Sequence, residues 1–248
     1  RAWRALLRAE CGRRFALYID AGVEFAAALF GAWHAGKTIY LPGDRLSGTC
    51  ADLHQEIDGY LGEFAPEWQP RVPLPGNVTE AAEGSEPLCP DFVGLVLFTS
   101  GSTGAAQAIP KTLAQMSAEV ATLENQFGAM LGGADILATV SHQHIYGLLF
   151  QVLWPLTAAR AIHARSFSFF EELTAALPER DWVLISSPAH LKRLPETPAW
   201  ESASERLRAV FSSGGPLPFE VAHQADRLLD RIPIEVYGSS ETGGIAWR

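Results

Sequence analysis

Six consecutive residues, Thr99-Ser100-Gly101-Ser102-Thr103-Gly104, combine four hydroxyls with two glycines. Residue types in this pattern suit an anion, because successive N–H groups and hydroxyls can converge on one phosphate. Glycine lets the backbone approach such a ligand without a Cβ clash. Lys111, farther along, supplies a compact positive charge. A Ser/Gly-rich surface turn has the same composition, so the stretch alone decides nothing. Two further small-residue loops change the balance: Ser213-Gly214-Gly215-Pro216, and Tyr237-Gly238-Ser239-Ser240-Glu241-Thr242-Gly243-Gly244. Each of the three follows a short apolar run. In an open parallel sheet such loops gather at the carboxyl ends of the strands, where ligands bind.

The rest of the chain must hold those loops. Runs at 15–19, 38–41, 95–99, 136–140, 182–185, 207–211 and 232–236 read as strands. Helical spacing marks 23–34, stopped at Gly36, and more weakly 53–64. A longer helix begins at Leu113 and places Met116, Val120, Leu123 and Phe127 on one stripe. Ser168 with Glu171 predicts a capping box opening a helix to Leu177. Short helices follow at 189–194 and 218–229, the latter with Phe219, Ala222, Ala225 and Leu229 inward. The apolar run 148–156 is ambiguous. Strands alternating with helices predict an α/β fold with mostly parallel sheets flanked by helices. A proline-rich connector over 65–91 separates a first α/β part, about 1–90, from a second at 92–248. The chain opens inside a helical pattern at Arg1. It stops at Arg248, after Ile245-Ala246-Trp247, a strand beginning with no turn or partner in the chain. It therefore reads as a fragment.

Taken together, the Thr-Ser-Gly-Ser-Thr-Gly…Pro-Lys loop and the Tyr-Gly-x-x-Glu-Thr box resemble the adenylate-forming superfamily. This group contains acyl-CoA and acyl-carrier-protein synthetases, luciferases and adenylation domains. His142 to Gly147, Ser213 to Leu217 and the early segment 23–42 agree with it, so the resemblance spans most of the chain. It implies ATP-dependent activation of a carboxylic acid as an acyl-adenylate, with release of pyrophosphate and transfer to the thiol of CoA or of an acyl carrier protein.

The resemblance also implies roles. Thr99, Ser100, Gly101, Ser102, Thr103 and Gly104 would cradle the β- and γ-phosphates. Glu241 would hold Mg2+, a hard cation that prefers oxygen. Thr242 would bond the α-phosphate. Tyr237 would pack on adenine against a wall of Ser213, Gly214, Gly215 and Pro216. His144 would orient the substrate carboxylate, over a pocket floor that includes Gly238 and Ser239. In the family one residue separates the last loop glycine from Pro-Lys, whereas here Ala105 to Ile109 intervene. That spacing is similar to synthetases of aryl-polyene and xanthomonadin-type pigment pathways, which activate aromatic acids. The family's ribose-binding Asp, and its mobile C-terminal domain with a catalytic Lys, would lie beyond residue 248.

Net charge is −9, with 19 Lys+Arg against 28 Asp+Glu, which argues against a general nucleic-acid surface. No apolar run reaches the ~20 residues of a membrane span. Cys11, Cys50 and Cys89 show neither zinc spacing nor a disulfide framework, which suits a reducing, cytoplasmic setting. A P-loop NTPase requires Gly-x4-Gly-Lys-Ser/Thr, which neither Gly101 nor Gly104 begins. A hydrolase elbow fails because Ser100 occupies its first glycine position. His142 and His144 could pair on a metal, but no third ligand follows nearby. A non-catalytic nucleotide- or acyl-binding module remains the alternative.

Overall fold

Strand β1 (Arg14–Tyr18) carries Phe15, Ala16 and Leu17, all fully buried, because it lies inside a sheet ordered β3-β1-β2-β4-β5. Its neighbours are β2 (Thr38–Leu41) and β3 (Gly59–Gly62), both parallel to it. Strand β4 (Val93–Ser100) runs parallel to β2, and β5 (Ala106–Thr112) folds back antiparallel on β4. A second sheet has the order β10-β9-β8-β7-β6. Strands β6 (Asp135–Ala138), β7 (Trp182–Ser186), β8 (Leu207–Ser212) and β9 (Ile234–Ser239) are parallel. Strand β10 (Gly243–Trp247) closes the edge antiparallel to β9. These assignments come from a computed structural model that describes residues 1–74, 86–100, 106–177 and 179–248. The chain divides into two compact units, Arg1–Ser117 and Ala118–Arg248.

In the first unit the helices are α1 (Ala2–Ala9), α2 (Gly22–His34) and α3 (Ser47–Leu53). Gly31 of α2 lies so close to Trp3 of α1 that an added Cβ would sit 2.7 Å from the Trp3 Cβ. Gly36 ends the α2 segment with φ 68°. Cys50 and Leu53 of α3 bury against Ala16 and Tyr60, and the Tyr60 hydroxyl donates to the Cys50 carbonyl at 2.7 Å. Burial pushes the Tyr60 phenol up to about 12.

Helix α4 (Leu113–Leu131) contains the division between the units and buries the expected stripe Met116, Val120, Leu123 and Phe127. In the second unit follow α5 (Ile145–Gly147), a π-helical segment Leu148–Leu153, and α6 (Trp154–Thr157). Every side chain of the π segment is buried, which is why no amphipathic period showed there. The remaining helices are α7 (Phe170–Ala175), α8 (Pro188–Leu191), α9 (Ala199–Ser204) and α10 (Phe219–Leu229). Trp182, Leu184, Trp200, Ala225 and Leu229 meet in one apolar core.

The mostly parallel α/β architecture matches the expectation, and several local readings are corrected. The weak helix at 53–64 is α3 ending at Leu53, followed by edge strand β3. Asp58 explains the switch: its carboxylate accepts from Arg13 N at 2.7 Å and Arg14 N at 2.9 Å, anchoring the start of β1. Those backbone donors hold the Asp58 carboxyl below its ordinary value. Helix α7 is preceded by Phe169 without a side-chain cap, so the Ser168 box does not form. Phe219 is 75% exposed rather than inward, and Val221 takes its place in the core. The segment at Ile245-Ala246-Trp247 does have a partner, because β10 pairs with β9. Strand β4, beyond the proline-rich connector, pairs with β2, and the first compact unit runs to Ser117.

Candidate functional site

Ser/Thr residues stand at the carboxyl ends of the second sheet: Thr139 just after β6, Ser186 closing β7, Ser212 closing β8 and Ser239 closing β9. Thr139 and Ser186, neighbours across the ladder, bring their buried hydroxyls to 2.8 Å. Above this edge two of the three expected loops come together. The Ser213 hydroxyl donates to the Val236 carbonyl at 2.8 Å, tying the exit of β8 to β9. The Leu217 N–H donates to Glu235 Oε2 at 2.5 Å, and Arg248 pairs with the same Glu235 carboxylate at 3.0 Å. Gly214, Gly215 and Pro216 are left exposed between those ties.

The Tyr-Gly-x-x-Glu-Thr box is a hairpin rather than a free loop. Tyr237, Gly238 and Ser239 end β9, Ser240-Glu241-Thr242 turn, and Gly243 opens β10. Thr242 N donates to Ser239 Oγ at 3.2 Å, and the two hydroxyls lie 3.0 Å apart. Gly243 needs its φ of 74°, which L residues adopt only with strain. Gly238 needs close approach: an added Cβ would lie 2.4 Å from the Gly243 carbonyl oxygen. Tyr237, 66% exposed, is not the core ring that a strand end could have made it. Glu241 is exposed at the tip.

A cavity of about 70 Å³ lies beside this hairpin. Ser213, Gly238, Ser239, Gly243 and Gly244 form one wall, and Ile145, Tyr146, Leu149 and Phe150 another. Tyr146 lines it, whereas His144, two residues earlier and exposed, does not. Burial pushes the Tyr146 phenol well above its ordinary value, against an opposing effect of the Ser186 backbone, so it stays protonated. Glu119 on α4 completes the lining and accepts from Gly244 N at 3.1 Å. Sequence reasoning passed over Glu119. Its signal was a carboxylate three residues after Met116 and four before Leu123, at the border of an apolar stripe. Replacing Gly243 by Ala would put a Cβ 1.7 Å from Glu119 Oε1, expelling that carboxylate from Gly244. Together with the φ strain, Gly243→Ala should cost about 2 kcal/mol. Amide exchange in β10 should accelerate while that of β7 and β8 stays slow; equal protection in both proteins would refute this.

The phosphate-loop residues Gly101, Ser102, Thr103 and Gly104 lie outside the described residues. Thr99 and Ser100 are placed by their backbone, opposite Gln107 and Ala106 in the β4–β5 ladder. Lys111 lies within β5. It is buried opposite Leu95, five residues along β5 from Ala106. At ~3.4 Å per residue that is about 17 Å from Ala106, the first residue of β5.

Two mostly parallel sheets, each ending in an antiparallel edge strand, define an α/β class. Residues 48–248 match the family described as AMP-binding enzyme, and the chain belongs to that family, within the adenylate-forming superfamily. It is 33% identical over 163 residues to a 4-coumarate–CoA ligase of Rhodobacter capsulatus, covering 62% of this chain and 39% of that protein. It is 28% identical over 211 residues to a 4-chlorobenzoate–CoA ligase of an Arthrobacter species, covering 79% and 37%. Among solved structures, a malonyl-CoA ligase with methylmalonyl-CoA and AMP bound matches with TM-score 0.80 at 20% identity, covering 99% of this chain and 55% of that one. ATP-bound MatB from Rhodopseudomonas palustris matches with TM-score 0.74 at 18% identity, covering 100% and 55%. The chain thus spans 37–39% of the length of these curated relatives. No described helix is long and apolar enough to cross a membrane.

Proposed function

We propose that the protein containing this chain activates a carboxylic acid with ATP and delivers the acyl group to the thiol of coenzyme A. A carboxylate oxygen attacks the α-phosphorus, the bond to the β-phosphate oxygen breaks, and pyrophosphate leaves. The thiol sulfur then attacks the acyl carbon, and AMP leaves. The observation that carries this reading is the meeting of the Ser213 loop and the β9–β10 hairpin at the carboxyl edge of one sheet. Exposed Tyr237 offers adenine a ring face, and Ser213-Gly214-Gly215-Pro216 supply the facing wall. Thr242 offers a donor to the α-phosphate, and by the family resemblance Thr99 to Gly104 would cradle the outer phosphates.

The carboxylate nucleophile arrives ionised, so positioning and charge stabilisation are the chain's main tasks. Glu241 fits magnesium because that ion takes one or two carboxylates plus phosphate oxygens rather than a protein cage. Among the described residues no group of three His, Cys, Asp or Glu forms such a cage. Bound there, the ion would neutralise charge on the triphosphate.

An aromatic acid is the favoured substrate class. Tyr146, Phe150, Leu149 and Ile145 make an apolar wall, and both curated relatives carry aromatic acids in their names. The five residues before Pro110 support the same class through the pigment-type likeness. At about 70 Å³ the cavity is smaller than the ~150 Å³ that admits benzene, so Glu119 has to swing aside to seat a ring. His144, exposed and two residues before Tyr146, would screen the substrate carboxylate. Acyl carrier protein is the alternative thiol acceptor, and the cytoplasm, with its ATP and reduced thiols, is the expected setting.

The test is pyrophosphate release by the complete protein with Mg-ATP and a panel of aromatic and fatty acids, followed by CoA or carrier protein. Release with an aromatic acid, and thioester formation with CoA, is the expected result. No release with any acid would favour a binding module instead.

A further inference from the structure

The first unit holds a second cavity, of about 410 Å³, remote in its own sheet from the loop after β4. It opens where α1 passes the last turn of α2, at the amino ends of β2 and β4. Two bonds fix it there: Trp33 Nε1 donates to the Gly94 carbonyl at 2.8 Å, and Thr38 Oγ1 donates to the Val93 carbonyl at 2.7 Å. Ser100 lies at the other end of β4. Arg4 and Arg8, one helical turn apart on α1, line the cavity with His34 and the edges of Trp33 and Phe92. Glu86 adds a carboxylate to the lining.

We propose that this cavity binds a small organic anion, a phosphate or carboxylate group carried on an apolar body. Its volume falls within the ~300–1,000 Å³ of small-molecule clefts. A concave pair of arginines is the donor set that grips planar or tetrahedral oxyanions, because each guanidinium presents a fork of N–H groups. Arg4 Nε is buried and has no hydrogen-bond partner among the described residues. Leaving such a group unpaired is costly, and an anion oxygen would satisfy it. Trp33, Phe92 and Leu88 give the ligand's body an apolar wall. Burial, then Arg4 and Arg8, hold the His34 imidazole below its ordinary value, so near neutral pH it offers an N–H without adding charge. In a chain of net charge −9, a concavity with two arginines stands apart from the average surface. The site is independent of the nucleotide reading.

The test uses amide, indole and imidazole NMR of the full chain, titrated with phenyl phosphate and separately with cyclohexanecarboxylate. Saturable shifts at the Trp33 indole N–H and the His34 ring are expected with at least one probe. Phenyl phosphate alone would identify phosphate esters, and cyclohexanecarboxylate alone would identify carboxylates. Arg4→Gln and Arg8→Gln should each weaken binding about tenfold or more, the loss of one charge-assisted contact. Should Arg4→Gln fail to fold, Arg8→Gln, on the exposed side of α1, decides. Glu241→Gln should leave the titration unchanged. Absent shifts with both probes, equal affinity in Arg8→Gln, or loss of the shifts in Glu241→Gln would each overturn the proposal.

Discussion

Replacing Arg160 by alanine should lower the stability of the chain by about 3 kcal/mol. Arg160 is 3% exposed by its side chain, yet carries a full charge. Its guanidinium donates to Glu124 Oε2 at 2.6 Å and to Oε1 at 3.0 Å, to the Gly132 carbonyl at 2.7 Å, and to the Gly128 carbonyl at 3.3 Å. Trp154 Nε1 donates to the same Glu124 carboxylate at 2.6 Å, and the guanidinium lies over the Trp154 ring at 5.4 Å. One side chain thus ties the carboxyl end of α4 to the residues after α6. Truncation removes the guanidinium from the Gly132 carbonyl and leaves Glu124 with Trp154 Nε1, while the Gly128 carbonyl keeps the Gly132 N–H at 2.9 Å. Glu124 is half-exposed and can rehydrate, which keeps the figure at the low end for a broken buried pair. A lower urea midpoint at unchanged m is the expected measurement.

The pH dependence supplies a second check. The Arg160 hydrogen bond, aided by Trp154, holds the Glu124 carboxyl below its ordinary value. A carboxyl depressed on folding gives stability that is present above its unfolded pKa and lost as pH falls through the folded one. Arg160→Ala should therefore flatten that part of the acid-unfolding profile. A change below about 1 kcal/mol together with an unaltered acid limb would show that the cluster contributes little.

Glu241→Gln in the complete protein should slow pyrophosphate release by about 10²-fold or more, the scale of losing one preorganised charge stabiliser. Glutamine keeps the size and the turn but removes the negative charge that a magnesium-bound triphosphate would meet. Glu241 is exposed in the turn between β9 and β10, so folding should change little. Raising the magnesium concentration should recover part of the rate if the carboxylate acts through the metal. An unaffected rate would remove Glu241 from this role, and a loss insensitive to magnesium would assign it a different one.

The parallel strands were legible because β7 is buried throughout and β1 and β8 are buried over their apolar centres. Both antiparallel edges were hidden, for two physical reasons. Strand β5 contains Pro110 and alanines, poor strand formers that an edge tolerates because one of its sides needs no ladder. The end of β9 contains Gly238, which reads as loop until the close approach of β10 is seen. Helix α3 and strand β3 were fused into one helix because Leu53 and Phe64 fit a helical period, while Asp58's capping of β1 is long-range. In the site, Ser213, Tyr237 and Glu241 were readable from a family pattern. Glu119 was not, because its partner Gly244 lies 125 positions away.

The β4–β5 hairpin acts as a ruler. Each added pair of residues, one in either strand, would carry the loop ~3.4 Å outward and turn its side chains over, so only steps of ~6.8 Å preserve which face they present. How far the last pair of the ladder, Ser100 and Ala106, stands out is therefore quantised in rungs. A single-residue insertion in β4 or β5 should disturb the loop far more than two residues added to both.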